Sequence, residues 1–554
     1  MNSSKLLPIL GIIAVYLTGA LAIDIMDIDA AQYASIGLEM AQNNNFFQVQ
    51  HRGVDYYLDK PPLLFWVSAL IFKILGFTNI AYRLGPILSS FAGIYAIYRF
   101  TRLYYSEITA YAAALILGSC QAYILMNHDV RTDTMLTNCV ALAIWQIAAF
   151  RKQGGWAYFL GGFIWIGFAM LAKGPIGLIV PGAAFFVDIL LKRDWKNLFR
   201  WEWLLGILVI AVVLLPYCIG LYYQYGSEGI YFFFWKQSFG RITGENSWDN
   251  NAPLWFQAQN FLWSFLPWVL AFAGGLVYSF RVLIRQNFRL AGTQEAISLG
   301  GFVLPFLALS TSHYQLPHYT FVVFPLGAVL TANFLVTAMK EPASFAFKYS
   351  KISMIVTASI MVLIVIILSA WAFPLKNVLI IAIALGMLWY VVVLFRSQQT
   401  PYNQLILAPF WIALTCNFVM NAHVYPQLLT YQTGSVLGNQ LAHQSEIPLK
   451  DFYLLDVNPK DDYYLFQHAL DFYTARTTPI IKNTNELKEV RAKSDTVWLY
   501  TDTKGVQSVR DTLGWQVETI QKYDKYHVTG VTLPFLNPAL RSTRTREVYL
   551  IKAH

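Results

Sequence analysis

Apolar residues run along this chain in blocks about as long as a membrane is thick, and polar residues collect in the short stretches between them. A hydrocarbon layer of about 30 Å asks for roughly 20 apolar residues per helix. Such blocks lie at Leu6 to Ile23, Tyr82 to Leu103, Ile108 to Met126, Met135 to Phe150, Trp156 to Ala172, Ile176 to Leu191 and Trp203 to Tyr223. They continue at Phe261 to Phe280, Ala296 to Leu309, Tyr319 to Ala338, Ile352 to Trp371, Val378 to Phe395 and Leu405 to Met420. The pattern predicts a polytopic α-helical membrane protein of about thirteen transmembrane helices. Pro62 to Phe77 is as apolar but short, opened by two prolines and interrupted by Lys73, so it is expected to lie along the membrane surface. After Asp29, the residues Tyr33, Ile36 and Met40 repeat at helical spacing, which predicts a second interfacial helix.

Beyond Met420 the period changes. Short extended runs at Phe452 to Val457, Pro479 to Lys482, Thr496 to Thr501 and Val548 to Lys552 alternate with helical stretches at Asn485 to Ala492 and Val506 to Leu513. This predicts a C-terminal α/β domain over 424–554, outside the membrane, after a transmembrane domain over 1–423 whose first exterior loop spans 24–81.

Composition agrees with the pattern. Of 554 residues, 56% are hydrophobic and 13% charged, which excludes an ordinary soluble globule. From Tyr425 onward there are 15 basic and 14 acidic residues, so nearly all of the net charge of +9 belongs to the membrane part. That excess reads as topology and not as nucleic-acid binding. With Pro62 to Phe77 on the surface, Arg99, Arg102, Arg151, Lys152, Lys192, Arg193, Lys196, Arg200 and Arg281 share the side of Lys5. The positive-inside rule makes that side cytoplasmic and puts the C-terminal domain outside. The N-terminal run ends in Ala20-Leu21-Ala22, as signal peptides do, but exceeds their usual core and is expected to remain as the first helix. Cys120, Cys139, Cys218 and Cys416 show neither disulfide nor zinc spacing.

The informative residues are then the charges held on the outer side. The first exterior loop supplies Asp24, Asp27, Asp29, Glu39, Arg52, Asp55, Asp59 and Lys60; the next supplies Asp129, Arg131 and Asp133; later ones supply Lys173, Lys236, Arg241, Glu245, Asp249 and the stretch "SHYQLPHY" from Ser312 to Tyr319. Asp29 reads equally as an N-cap or as a general base facing a cavity. Lys60 precedes Pro61 and Pro62, which fix its backbone and argue against a side chain swinging to lipid headgroups. Fixed cations at an outer cavity suggest an anionic ligand, most simply a phosphate, to which Arg241 would add a guanidinium fork and Tyr319 a neutral donor.

In order along the chain, Asp29 with Tyr33 and Glu39-Met40, Asp59-Lys60-Pro61, Asp133, Lys173-Gly174, Arg241-Ile242 and "LPHY" resemble the bacterial lipid A aminoarabinose transferases. Those enzymes group with the protein O-mannosyltransferases among GT-C glycosyltransferases. The resemblance implies a GT-C fold and transfer of a sugar, with inversion, from undecaprenyl phosphate to an acceptor at the outer face of the bacterial inner membrane, most simply lipid A. It implies catalytic roles for Asp29 and Asp133 and a donor-phosphate site of Lys60, Arg241 and Tyr319. Asp59, Lys173, Tyr33 and His318 fall in the same motifs and join them as substrate-binding candidates. The chain departs from the family in Asp59 and Thr134, and in His313 and Gln315 where lysines are usual, so a protein acceptor is the alternative.

Such chemistry requires no metal, though Asp129 and Asp133 are the pair that would hold a divalent cation. Pro62 to Phe77 and the aromatics from Tyr231 to Trp235 are expected to receive the carrier's tail. A transporter of the lipid-linked sugar is less favoured, because the apolar blocks carry almost no mid-span charge and show no internal repeat.

Overall fold

A computed structural model describes residues 3–53, 55–237, 240, 250, 252–397, 400–443, 447–457 and 465–554. Among the described residues, nine helices are long and apolar enough to cross a membrane: Lys5–Ala22, Asn79–Tyr104, Thr132–Gln153, Trp156–Lys173, Trp195–Tyr225, Pro317–Ala338, Phe345–Ala372, Val378–Arg396 and Asn403–Leu429. A tenth arises if Phe256–Ser264 and Val269–Arg285, bent by 119° at the break between them, form one span. The remaining expected spans are helical but short. Glu107–Ser119 stops at Cys120, Ile176–Lys192 has 17 residues, and Ile297–Ser310 has 14. The break after Ser264 falls at Pro267, whose ring and missing N–H end a helix.

Pro62 to Phe77 is shorter than the nine, like Glu107–Ser119 and Ile297–Ser310. Leu63–Leu75 forms a 13-residue helix that packs against Asp29–Asn43, with Phe65 against Tyr33 at 5.8 Å, and against Asn79–Tyr104, with Phe72 against Tyr82 at 6.2 Å. Its buried face is Leu64, Phe65, Ser68, Ala69 and Phe72, while Leu70, Ile74 and Leu75 stay exposed on the other. Phe72 also meets Phe472 at 5.8 Å, so the first exterior loop and the C-terminal domain share one end of the bundle. The basic clusters gather at the opposite end. Lys5 pairs with Glu107 at 2.5 Å, and Asp188 takes both Arg151 and Lys192 at 2.9 Å.

The C-terminal domain contains the expected strands and helices plus elements the pattern did not reveal. Strands β3 (Phe452–Leu455), β4 (Ile480–Ile481), β5 (Val497–Asp502), β6 (Val517–Lys525) and β7 (Arg546–Ala553) form a mixed sheet in the order β4-β3-β5-β7-β6; β1 (Gln50–His51) and β2 (Asp55–Tyr56) make a separate hairpin in the first exterior loop. Strand β3 runs parallel to β4 and β5, and β7 is antiparallel to β5 and β6. Helix Thr433–His443 continues the chain from the last span into this domain.

One buried cation ties the outer end together. Arg83 is 0% exposed near the start of Asn79–Tyr104, and its guanidinium donates to the carbonyls of Ile23 at 2.5 Å, Asp24 at 2.8 Å and His128 at 3.3 Å. The first two follow the first span, and the third precedes the Asp129–Arg131 loop. Arg83 therefore fixes the spacing of the two loops that carry the outer acids. Arg83→Met is expected to leave these carbonyls without a donor and to cost about 3 kcal/mol, read as a lowered midpoint of thermal unfolding for the solubilised chain.

Candidate active site

The two loops held by Arg83 deliver their acids to one place. Asp29 occupies the first turn of Asp29–Asn43, where the positive end of the helix favours a carboxylate. The N-cap position belongs to Ile28 and no side chain caps the helix, so the capping reading of Asp29 gives way to one in which it faces outward. Arg131 donates to Asp29 and, through Nη2, lies 3.0 Å from Asp129. Burial works against the Arg131 guanidinium, but Asp129 and Asp29 outweigh it and hold its pKa above the ordinary value. This clamp fixes the Asp29 carboxylate in orientation.

Asp29, Asp59, Lys60, Asp129, Arg131 and His318 line one cavity of about 710 Å3, roofed by Val528 and Thr529 of the C-terminal domain. Lys60 reaches it from the turn before Pro61 and Pro62, which lead into Leu63–Leu75 with Pro62 at the N-cap. Gln237 donates to the Asp59 carbonyl and adds a second restraint on that turn.

Lys60 is shared with a smaller groove of about 90 Å3 between the helices, where Lys173 and Tyr319 supply the other polar walls and Leu136, Ile176, Ile179 and Leu309 the apolar ones. Lys173 ends Trp156–Lys173, at the negative end of that helix, and its Nζ sits 4.0 Å over the Tyr319 ring. It also bonds Asp133, buried in the first turn of Thr132–Gln153, and His318 Nε2 lies 3.8 Å from the same carboxylate. The hairpin behind it is tight. A Cβ on Gly177 would lie 2.5 Å from the Ala169 carbonyl carbon, so only glycine lets Ile176–Lys192 approach Trp156–Lys173 here.

The structure thus brings together Asp29, Asp59, Lys60, Lys173, Asp133, His318 and Tyr319. Tyr33 is buried beneath, against Phe65, and burial raises its pKa well above the ordinary phenol range. Arg241 lies outside the described residues, as do Glu245 and Asp249. Other exterior charges go elsewhere, among them Glu39, which accepts from the Gly53 N–H at 2.8 Å, and Arg52, which pairs with Asp471 of the C-terminal domain. The walls of the apolar groove come from the helices around Leu136, Ile176 and Leu309 and not from Leu63–Leu75 or Tyr231 to Trp235.

Asp129 and Asp133, the pair considered for a cation, face different partners, Arg131 and Lys173. Among the described residues no three His, Cys, Asp or Glu side chains converge as metal ligands would. Sequence reasoning counted Arg131 among the exterior charges without giving it a role, and it passed over Arg83 altogether. The signal for Arg131 was its position between Asp129 and Asp133.

Asp27, two residues before Asp29, is 4% exposed and belongs to the seam with the C-terminal domain. Its Oδ1 accepts from the Ala469 N–H at 3.1 Å. Burial pushes its carboxyl up to about 7, against the Ala469 N–H and Lys525, which pull the other way. An unfolded aspartate loses its proton near about 4. Between those values the folded chain holds a proton that the unfolded chain has lost, so this contribution to stability falls as pH rises. Asp27→Asn is expected to remove that component of the pH dependence of the unfolding midpoint between about 4 and 7.

The profile of the family described as dolichyl-phosphate-mannose-protein mannosyltransferase matches residues 59–219, which include Lys60, Asp133 and Lys173. The undecaprenyl phosphate-alpha-4-amino-4-deoxy-L-arabinose arabinosyl transferase of Edwardsiella ictaluri (strain 93-146) is 26% identical over 298 residues, 52% of either chain. That of Enterobacter sp. (strain 638) is 25% identical over 299 residues, again 52% of each. The matched stretch spans about half the length of these curated relatives.

Among solved structures, ArnT from Cupriavidus metallidurans bound to undecaprenyl phosphate superposes with a TM-score of 0.73 at 16% identity, over 99% of this chain and 97% of that one. The archaeal oligosaccharyltransferase AglB from Archaeoglobus fulgidus follows at 0.50 and 11% identity, over 92% of this chain and 70% of that one. The chain is a multi-pass membrane protein with the fold of ArnT from Cupriavidus metallidurans, and over about half its length it is similar in sequence to the undecaprenyl phosphate-alpha-4-amino-4-deoxy-L-arabinose arabinosyl transferases.

Proposed function

We propose that this protein transfers a sugar, with inversion, from an undecaprenyl-phosphate carrier to an acceptor at the outer face of the bacterial inner membrane, with lipid A as the acceptor. The observation that carries the reading is the position of Lys60. It stands where an apolar groove between helices opens into a polar cavity that also holds Asp29. A carrier phosphate joins a hydrocarbon tail to a sugar, and that junction asks for a cation at such a boundary.

In this reading the tail lies along Leu136, Ile176, Ile179 and Leu309, and the phosphate meets Lys60 and Tyr319, with Arg241 as a third donor. The sugar projects toward Asp29. An acceptor oxygen attacks the anomeric carbon as the bond from that carbon to the carrier phosphate oxygen breaks, and the phosphate departs with the electron pair. Asp29 orients the acceptor and takes its proton where the acceptor is a hydroxyl. Lys60 and Tyr319 stabilise the charge that grows on the departing phosphate, a form of electrostatic catalysis that needs no metal. Lys173, held by Asp133, stands beside Tyr319 and positions it. The basic clusters at the far end of the bundle support a cytoplasmic N-terminus and a periplasmic C-terminal domain.

The family profile over residues 59–219 favours a second reading, in which the acceptor is a secreted protein. Mass spectrometry of lipid A and of envelope glycoproteins, from cells with and without this chain, separates the two. Loss of an aminopentose from lipid A supports the first reading and loss of a protein-linked hexose the second. Unchanged glycosylation of both contradicts transfer.

A further inference from the structure

Beside the catalytic cavity lies a second chamber of about 460 Å3, between the first exterior loop and the C-terminal domain. The two share Asp27, Ile28, Val528 and Thr529 as walls. We propose that this chamber is a subsite for the sugar ring that carries the acceptor oxygen, so that the C-terminal domain selects the acceptor. The proposal rests on the transferase reading above and assigns it a site for the second substrate.

The chamber's chemistry matches a sugar better than an anion. Asp27 and Lys525 both face it and both are buried, at 4% and 3% exposure. Asp27 and Lys525 act on one another electrostatically, so the chamber offers no unmatched cation for a phosphate. Lys525, at the end of β6, donates to the Leu465 carbonyl at 2.7 Å.

Among the described residues, two buried polar atoms on the chamber's residues lack a hydrogen-bond partner: Asp27 Oδ2 and His468 Nδ1. Burial, with His51 and Arg52 beside it, pulls the His468 imidazole down to about 3, so the ring is neutral and its free nitrogen can accept or donate. Buried polar groups left unmade are costly, and the two side chains that carry them stand in the chamber's wall.

Phe466 and Tyr526 supply apolar walls, and the Tyr526 ring is held flat by stacking on Phe535 at 3.7 Å. A sugar presents hydroxyls at its rim and C–H bonds on its faces, which is the mixture this chamber is lined to receive. The shared wall then explains the division of labour. The reacting oxygen of the acceptor enters the cavity of Asp29 and Arg131 while the ring that bears it stays behind Asp27.

The test uses the full chain in detergent, with undecaprenyl-phosphate aminoarabinose as donor and lipid A as acceptor. His527→Trp narrows the chamber from its exposed edge, and Phe466→Ala removes an apolar wall that the catalytic cavity does not share. Each is expected to raise the KM for lipid A by about tenfold. The donor KM, and the slow hydrolysis of donor without lipid A, should stay within about twofold of the unaltered chain. A KM for lipid A unchanged in both variants overturns the proposal. So does a parallel loss of donor hydrolysis, because the chamber would then serve the catalytic cavity itself. An unaltered chain that neither hydrolyses nor transfers the donor sinks the transferase reading instead, an outcome distinct from either.

Discussion

Asp29→Asn is expected to lower the rate of sugar transfer by about 1,000-fold, close to 4 kcal/mol of barrier, with the affinity for undecaprenyl phosphate unchanged. The asparagine keeps the shape and can still bond Arg131, but it cannot take a proton and carries no charge. The groove that would hold the carrier lies on the far side of Lys60, so the two functions separate in space. The effect should fall on kcat, not on the donor KM, the mark of an interaction made only in the transition state. A donor KM that rises in step with the fall in kcat would place Asp29 in carrier binding and remove it from the chemistry. Initial rates of transfer to lipid A over a range of donor concentrations decide between these outcomes.

Lys60→Met is expected to act on both parameters. It removes a cation from the meeting point of groove and cavity while preserving an apolar stem of similar length, so the fold should survive. Weaker binding of the ground-state phosphate raises the donor KM, and weaker stabilisation of the departing phosphate lowers kcat. Losing one donor of this kind costs about 3 kcal/mol, or about a hundredfold in rate. Equilibrium binding of undecaprenyl phosphate to the solubilised chain should weaken in Lys60→Met and stay at the wild-type value in Asp29→Asn. Equal binding in both variants would detach the phosphate from Lys60.

Much of this arrangement was legible because membranes impose long, simple patterns. The apolar blocks of the chain are helical save for breaks within them, and Pro62 to Phe77 forms a helix too short to count with the nine. What the pattern missed has local causes. The block Phe261 to Phe280 is continuous in hydropathy, yet Pro267 breaks it, and hydropathy averages over such a residue. Strand β6 went unseen because it lies at the sheet edge, where Glu518, Gln521 and Lys522 face solvent and alternation with apolar residues is weak.

At the site, the residues proposed to act on a ligand were visible as charges on the wrong side of the membrane. Residues that act on other protein groups were not. Arg83 gives its donors to backbone carbonyls, which carry no signature in a sequence, and its partners lie 45 to 63 positions away. Arg131 meets Asp29 across 102 positions. Asp27 was visible as one more acid near Asp29, but its burial against Ala469 depends on the docking of a domain more than 400 residues later. Such contacts follow from the fold and so become readable only once the fold is known.

The account stands on one carrier phosphate lying between Lys60 and Tyr319, with Asp29 across the cavity from it. The most direct measurement is an experimental structure of the full chain with undecaprenyl phosphate bound. The account expects the phosphate within hydrogen-bond reach of Lys60 Nζ and the Tyr319 hydroxyl, and the first isoprene units against Leu136, Ile176 and Leu309. A phosphate bound away from Lys60, or an Asp29 carboxylate turned out of the shared cavity, would contradict it.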